Sequence, residues 1–351
     1  MAVTVIVSLF TAGNYYIFSR VNLWLSLGWG FAFPVAGATL GLFSFLLILF
    51  HVHPFRPLFW AAASWFGLVC MMFPVFVVAD GVTRILPLTG FETAYGALAA
   101  SILLAIYAAV NNLSARSVLR VSVTSPKVAD SMRIVLIADT HITRYHGVGY
   151  VRRLVGEINC QGPDIVAIAG DFADGKTDFS LIEPVNNIKV PIYMVMGNHE
   201  VWHNQNGEME RLLRGTKITV LDGGTHTNDG LCITGIHYGD GRDILKKAFR
   251  NIECDREYYN ILLYHEPKDA HIARDAGIDL MLCGHAHGGQ IFPWNYVTRL
   301  AYPYFKGLYD YKGMKIYVSQ GTGTWGPPMR LGSRNEITVI DVNPVNAHET
   351  V

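Results

Sequence analysis

The sequence predicts two parts of different class: an N-terminal block of membrane-spanning α-helices, then a soluble α/β domain. Three observations carry this expectation. Of 28 Lys and Arg and 28 Asp and Glu in the chain, only Arg20, Arg56, Asp80, Arg84 and Glu92 precede residue 113. Beyond that point short apolar runs alternate with helical segments. Those runs stop abruptly in clusters of Asp, His and Asn, at the strand ends where ligand sites of α/β folds sit. The expected boundaries are a transmembrane region at 1–112, a linker at 113–130, the α/β domain at 131–343 and a short tail at 344–351.

A bilayer core takes about 20 apolar residues in helical form. Residues 57–79 and 93–110 are uncharged runs of roughly that length, and 27–50 is a third. Residues 2–18 make a weaker fourth, interrupted by Thr4, Ser8, Thr11 and Asn14. This stretch has neither the basic start nor the small-residue cleavage site of a removable signal peptide. Four spans are therefore expected. Tyr15, Tyr16, Trp24, Trp29 and Trp60 fall near the presumed ends, as interfacial aromatics do; packing between spans accounts for them equally well. No span carries the central acid or base that marks a transport path, which leaves an anchor. Four spans put both termini on one side with Arg56, Arg116, Arg120 and Lys127, against Arg20 and Arg84 on the other. By the positive-inside rule the protein is then a multi-pass inner-membrane protein with its soluble domain in the cytoplasm.

The chain has no net formal charge, which argues against a nucleic-acid partner. Its five cysteines show neither C-x-x-C pairs nor a disulfide framework, so they read as small buried hydrophobes.

After residue 131 the soluble part is long enough to bury its own core. RIVLIAD (133–139), DIVAIAG (164–170) and PIYMVMG (191–197) read as strands, as do KITVL, LCITGI, NILLYHE, DLMLCGH, KIYVSQG and EITVIDV later. GYVRRLVGEIN and KDAHIARDAG read as helices between them. The strand ends are ADTH (138–141), GD (170–171), GNHE (197–200), YHEP (264–267) and GHAH (284–287). One histidine at a strand end is usually structural; five apolar strands ending in Asp, His or Asn are not explained that way. Carboxylate, imidazole and amide oxygen together suit divalent Mn, Fe or Zn.

In that order, D-x-H, G-D, G-N-H-E, a lone His and G-H-x-H resemble the signature of the calcineurin-like metallophosphoesterases, over about residues 131–343. GGQI after GHAH, and GTGTWGPPMRLG near the C-terminus, look like the bacterial membrane-associated phosphodiesterase branch. UDP-diacylglucosamine pyrophosphatases are more distant relatives. The resemblance implies a four-layer α/β/β/α sandwich holding two divalent metal ions. One would be bound by Asp139, His141, Asp171 and His287, the other by Asp171, Asn198, His265 and His285, with Asp171 shared. It also implies that His199 faces the substrate, protonating the leaving oxygen or stabilising the phosphoryl group. Two such cations can acidify a shared water for in-line attack with no covalent intermediate. Glu200 and Asp174 fit either ligand-orienting or surface and capping roles.

The stretch GDFADGKT (170–177) also fits G-x-x-x-x-G-K-T, a phosphate-cradling loop in which Lys176 would reach a nucleotide. Asp171 and Asp174 inside it would repel the phosphates, and the cradle explains none of the other strand ends. The expected activity is thus a membrane-anchored phosphoesterase acting on phosphodiesters or pyrophosphates, including lipid-linked ones. A Lys176-based membrane ATPase and a non-catalytic membrane receptor or scaffold are the alternatives. His146, His203, His226, His237 and His271 have no motif support. Arg330 and Arg334 fit a phosphate grip and a plain surface role equally. So does the aromatic segment 292–311 fit both a lipid-touching lid and ordinary core packing. No G-x-S-x-G elbow supports serine hydrolysis.

Overall fold

Alternating hydropathy resolves into two compact units in the computed structural model, which describes the chain except residues 1, 51–55, 175–176, 205–206, 229, 240, 242 and 346–351. Lys176 thus lies outside the described residues.

The first unit holds α1 (Ala2–Trp24), α2 (Ala32–Phe50), α3 (Arg56–Val82) and α4 (Gly90–Leu113), together with Gln290–Asn295 and Trp325–Gly332. Among the described residues, α3 and α4 are long and apolar enough to cross a bilayer. α2 is apolar along its described side chains, Ala32–Ile48, while α1 is interrupted by Thr4, Ser8, Thr11 and Asn14. The polar residues of α1 are used in packing. Asn14 is fully buried, donating to Phe10 O at 2.9 Å and accepting from Trp65 Nε1 at 3.2 Å. Trp24 stacks on Phe76 at 5.3 Å, so it serves the packing of this unit. Asp80 draws in both Arg20, at 3.1 Å, and Arg84, at 3.6 Å. α4 opens with a capping box in which Thr89 and Glu92 each accept the other's backbone N–H, at 3.2 and 2.9 Å.

The two later segments are part of this unit's core. Met71, Ala105, Ala108, Ile291 and Met329 form one buried cluster. Trp294 Nε1 donates to Cys70 O at 2.9 Å, while Arg330 N donates to Ala108 O and Asn111 Nδ2 to Arg330 O, at 3.0 and 2.8 Å. Gly67 is where the backbone must come close: a Cβ there would lie 2.7 Å from Met329 Sδ and 2.8 Å from Pro327 Cβ. Arg330 is fully buried, which excludes the surface role and gives it a place in this core; Arg334 is exposed.

The second unit is the α/β domain. One six-stranded sheet runs in the order β1 (Ser117–Ser125), β12 (Glu336–Pro344), β2 (Met132–Ile137), β3 (Ile165–Ile168), β4 (Ile192–Met194), β5 (Ile218–Val220). The other runs β10 (Gly307–Tyr311), β11 (Met314–Val318), β9 (Leu280–Cys283), β8 (Tyr259–Tyr264), β7 (Leu231–Ile236), β6 (Thr225–Asn228). Side-chain alternation decides the layering. Ile134, Leu136, Ile165, Ala167, Ile261, Leu263, Leu280 and Leu282 meet in one core between the sheets. Their neighbours Val135, Ile137, Val166 and Ile168 face outward onto α5 (Val148–Asn159), α6 (Phe179–Ile182) and α8 (Glu208–Arg214). Leu262, Tyr264, Met281 and Cys283 face α9 (Ile244–Ala248) and α10 (Ala270–Asp275). Helix, sheet, sheet, helix is the expected four-layer order.

Two expectations change, and one open reading is divided. The stretch 113–130 is not a plain linker: β1 pairs in parallel with β12 along its whole length, from Ser117–Glu336 to Ser125–Pro344. The aromatic segment divides its roles. Trp294 is packed, and Phe305 is buried with Tyr304, Tyr309 and Tyr311 against it. In α11 (Trp294–Ala301), by contrast, Tyr296, Val297 and Leu300 are 59%, 59% and 89% exposed. All five cysteines are free thiols, but only Cys232 and Cys283 are buried; Cys70 and Cys254 are partly so, and Cys160 is exposed.

Candidate metal centre

The signature residues all fall just beyond the C-terminal ends of β2, β3, β4, β8 and β9. Asp139 and His141 follow β2, Asp171 follows β3, His265 follows β8, and His285 and His287 follow β9. Asn198 and His199 open α7 (Asn198–His203) after β4. The chain must turn sharply at each end. Asp139, His141, Asp171, His285 and His287 accordingly have φ of +53°, +46°, +51°, +70° and +50°, left-handed values that cost energy in non-glycine residues. The turns brace one another: Asp139 N donates to Gly170 O, His141 N to Asp171 O, and Gly284 N to His265 O, each at 3.0 Å. The motif glycines make room for carboxylates. A Cβ on Gly284 would sit 2.6 Å from Asp139 Oδ2, and one on Gly197 would collide with Asp171 Oδ1.

The side chains converge in two groups. In one, His141 Nε2 and His287 Nε2 stand 3.0 Å apart, with Asp139 Oδ1 3.6 Å from His287 Nε2. In the other, Asn198 Oδ1 is 2.9 Å from His285 Nδ1 and 3.1 Å from His265 Nε2, and those two ring nitrogens are 3.1 Å apart. Asp171 Oδ2 lies between the groups, 3.2 Å from His265 Nε2 and 3.8 Å from His141 Nε2. Atoms bonded to a common ion at ~2.1 Å stand ~3 to 3.5 Å from one another in tetrahedral or octahedral arrangements. The spacings of 2.9 to 3.2 Å match that range, those of Asp139–His287 and Asp171–His141, at 3.6 and 3.8 Å, are somewhat longer, and imidazole with carboxylate suits a divalent transition metal. The residues present therefore fit divalent metal ions.

Burial raises the Asp139 carboxyl to about 6, with His265 opposing. Burial likewise works to raise Asp171, but His265 and His199 outweigh it and hold the carboxyl well below its usual range. Burial lowers His265, yet Asp171 beside it carries the ring up to about 10. His285 is pushed down to about 3 by burial and by His265. The pocket thus stabilises positive charge beside Asp171 and selects lone pairs at His285.

Asp174 and Glu200 are both buried, so neither has a surface role. Asp174 Oδ2 meets His141 Nδ1 at 3.0 Å and its Oδ1 meets His199 Nδ1 at 2.9 Å, clamping two rings with one carboxylate. Glu200 accepts from Asp171 N, Ala173 N and Gly197 N at 2.9, 2.9 and 2.8 Å, tying the turns after β3 and β4 together. In the competing cradle motif, the single Thr177 hydroxyl proton is shared between Asp174 O at 2.7 Å and Ile142 O at 3.0 Å. Tyr302 is the residue that sequence reasoning missed: its hydroxyl is 2.6 Å from His285 Nε2. It belongs to no motif, and an aromatic-rich stretch gives no sign of which ring reaches the site.

A two-sheet α/β domain with imidazoles and carboxylates clustered at its strand ends defines, by class, a candidate binder of divalent metal ions. Residues 132–289 match the calcineurin-like phosphoesterase family. An uncharacterized metallophosphoesterase of Campylobacter jejuni is 32% identical over 248 residues, 68% of this chain and 66% of that protein. A Danio rerio "transmembrane protein with metallophosphoesterase domain" is 33% identical over 273 residues, 70% of this chain and 61% of its own. An Aquifex aeolicus metallophosphoesterase is 32% identical over 60% of this chain and 85% of its own length. The chain belongs to the calcineurin-like metallophosphoesterase family. It spans just under two thirds of the first two relatives.

Proposed function

We propose that the protein is a membrane-anchored, dimetal phosphoesterase that hydrolyses phosphodiester or pyrophosphate bonds. The position of Asp171 carries the reading, since one carboxylate reaches both imidazole groups. Asp139, His141, Asp171 and His287 would hold one divalent ion, and Asp171, Asn198, His265 and His285 the second. When bound, a pair of Mn, Fe or Zn ions would acidify water and neutralise phosphoryl oxygens. His199 supplies the proton. Burial lowers its basicity, but Asp174 and Asp171 raise it to about 9, which favours the protonated ring. Asp174 holds Nδ1, and Nε2 lies 4.0 Å from Asp171 Oδ2, beside the carboxylate that both cations would share.

The apolar α3 and α4 and the name of the Danio rerio relative support the anchor. The exposed Tyr296, Val297 and Leu300 support a lipid-linked substrate. The arginine tally supports a cytoplasmic catalytic domain in a multi-pass inner-membrane protein. The test is metal analysis of the purified full chain beside hydrolysis of a chromogenic phosphodiester. Asp171→Ala should lose metal and activity together, and Lys176→Ala should keep both. ATP binding abolished by Lys176→Ala would replace this reading with the nucleotide cradle.

A further inference from the structure

Resting on the dimetal reading, the geometry points to Tyr302 as a positioning residue that fixes His285 for the second cation. The His285 ring is held at both nitrogens. Nδ1 faces Asn198 Oδ1 and His265 Nε2, at 2.9 and 3.1 Å, and Nε2 faces the Tyr302 hydroxyl at 2.6 Å. A ring nitrogen that binds a cation must present its lone pair, which leaves the proton on the other nitrogen. With Nδ1 on the cation, Nε2–H donates to the phenol oxygen, and the tautomer is set.

The backbone of His285 is fixed independently of its ring: it sits at φ +70°, and its N–H is committed to Asp139 at 3.0 Å. Tyr302 is itself well fixed. Its N–H continues the α11 ladder to Thr298 O at 3.1 Å, and Pro303 then ends the helix. The two rings meet edge to face at 83°. The cation position is thereby tied to the end of α11, whose residues Tyr296, Val297 and Leu300 are open to solvent.

The experiment is cobalt titration of the metal-stripped full-length chain and of Tyr302→Phe, followed by the visible absorption of bound Co²⁺. The phenylalanine keeps the ring and removes only the hydroxyl. The first equivalent should bind as in the wild type. The second should weaken by ~10- to 100-fold, the usual cost of losing such a partner, with an altered absorption band. A misfolded fraction would lower the stoichiometry of both equivalents without weakening the second selectively. Tyr304→Phe is the control: that ring packs on Tyr309 and Tyr311 at 5.3 and 6.3 Å and should change neither equivalent. Two equivalents of wild-type affinity and spectrum in Tyr302→Phe would overturn the assignment alone. Fewer than two in the wild type would overturn the dimetal reading and the assignment with it.

Discussion

Removing the N-terminal helices should disturb the domain's own loops, although a phosphoesterase domain would be expected to survive excision. A fragment beginning at residue 129 lacks α3 and α4, which pack Gln290–Asn295 and Trp325–Gly332 in the first unit. Ile291 and Met329, 5% and 7% exposed, would be uncovered at ~1.5 to 3 kcal/mol each. The hydrogen bonds of Trp294, Arg330 N and Asn111 would go too, at ~0.5 to 1.5 kcal/mol each. Together that is ~5 to 10 kcal/mol, comparable with the ~5 to 15 kcal/mol that holds a typical domain folded. The same cut removes β1 and bares the β12 edge from Glu336 to Pro344. Gln290 directly follows the His287–Gly289 turn, so the loosening begins beside a proposed ligand. Limited proteolysis with mass spectrometry should find 290–295 and 325–332 cleaved in the fragment and protected in the full chain, with metal content reduced. Gly67→Val tests the same packing by one residue, because any Cβ there crowds Pro327 and Met329; overpacking of this kind costs ~1 to 3 kcal/mol. Equal protease protection and metal content in fragment and full chain would refute the reasoning.

His199→Ala should retain both cations yet lose ~10² to 10⁴ in turnover, as removal of a general acid does; loss of metal would make His199 a ligand instead. Val297→Ser with Leu300→Ser should leave the chromogenic phosphodiester unaffected and slow only hydrolysis of a lipid-linked diester in vesicles. Equal rates on the lipid substrate would remove α11 from lipid recognition. Trp294 does not belong in that test, because its indole is committed to Cys70 O.

Much of the centre is legible in the chain because its signals are local. An unbroken apolar run that stops in Asp or His announces a buried strand and the polar group at its end, as at 133–139 and 279–287. The glycines of GNHE and GHAH belong to the same local grammar, giving Asp171 and Asp139 the space a Cβ would fill. The charge gap before residue 113 likewise announces the apolar helices. What tertiary structure alone decided concerns partners far apart in sequence. β1 looked like a linker because an edge strand's fate depends on β12, more than two hundred residues later. Arg330 looked like a surface or phosphate-binding residue because only the fold places Ala108 and Asn111 around it. Asp174 and Glu200 have no period or spacing that distinguishes a ring clamp from a cap, and Tyr302 is one aromatic among many. Local pattern encodes which side chains end a strand, since burial acts on consecutive residues. Which hydroxyl or carboxylate meets them is set by packing across both sheets, and no short stretch of sequence carries it.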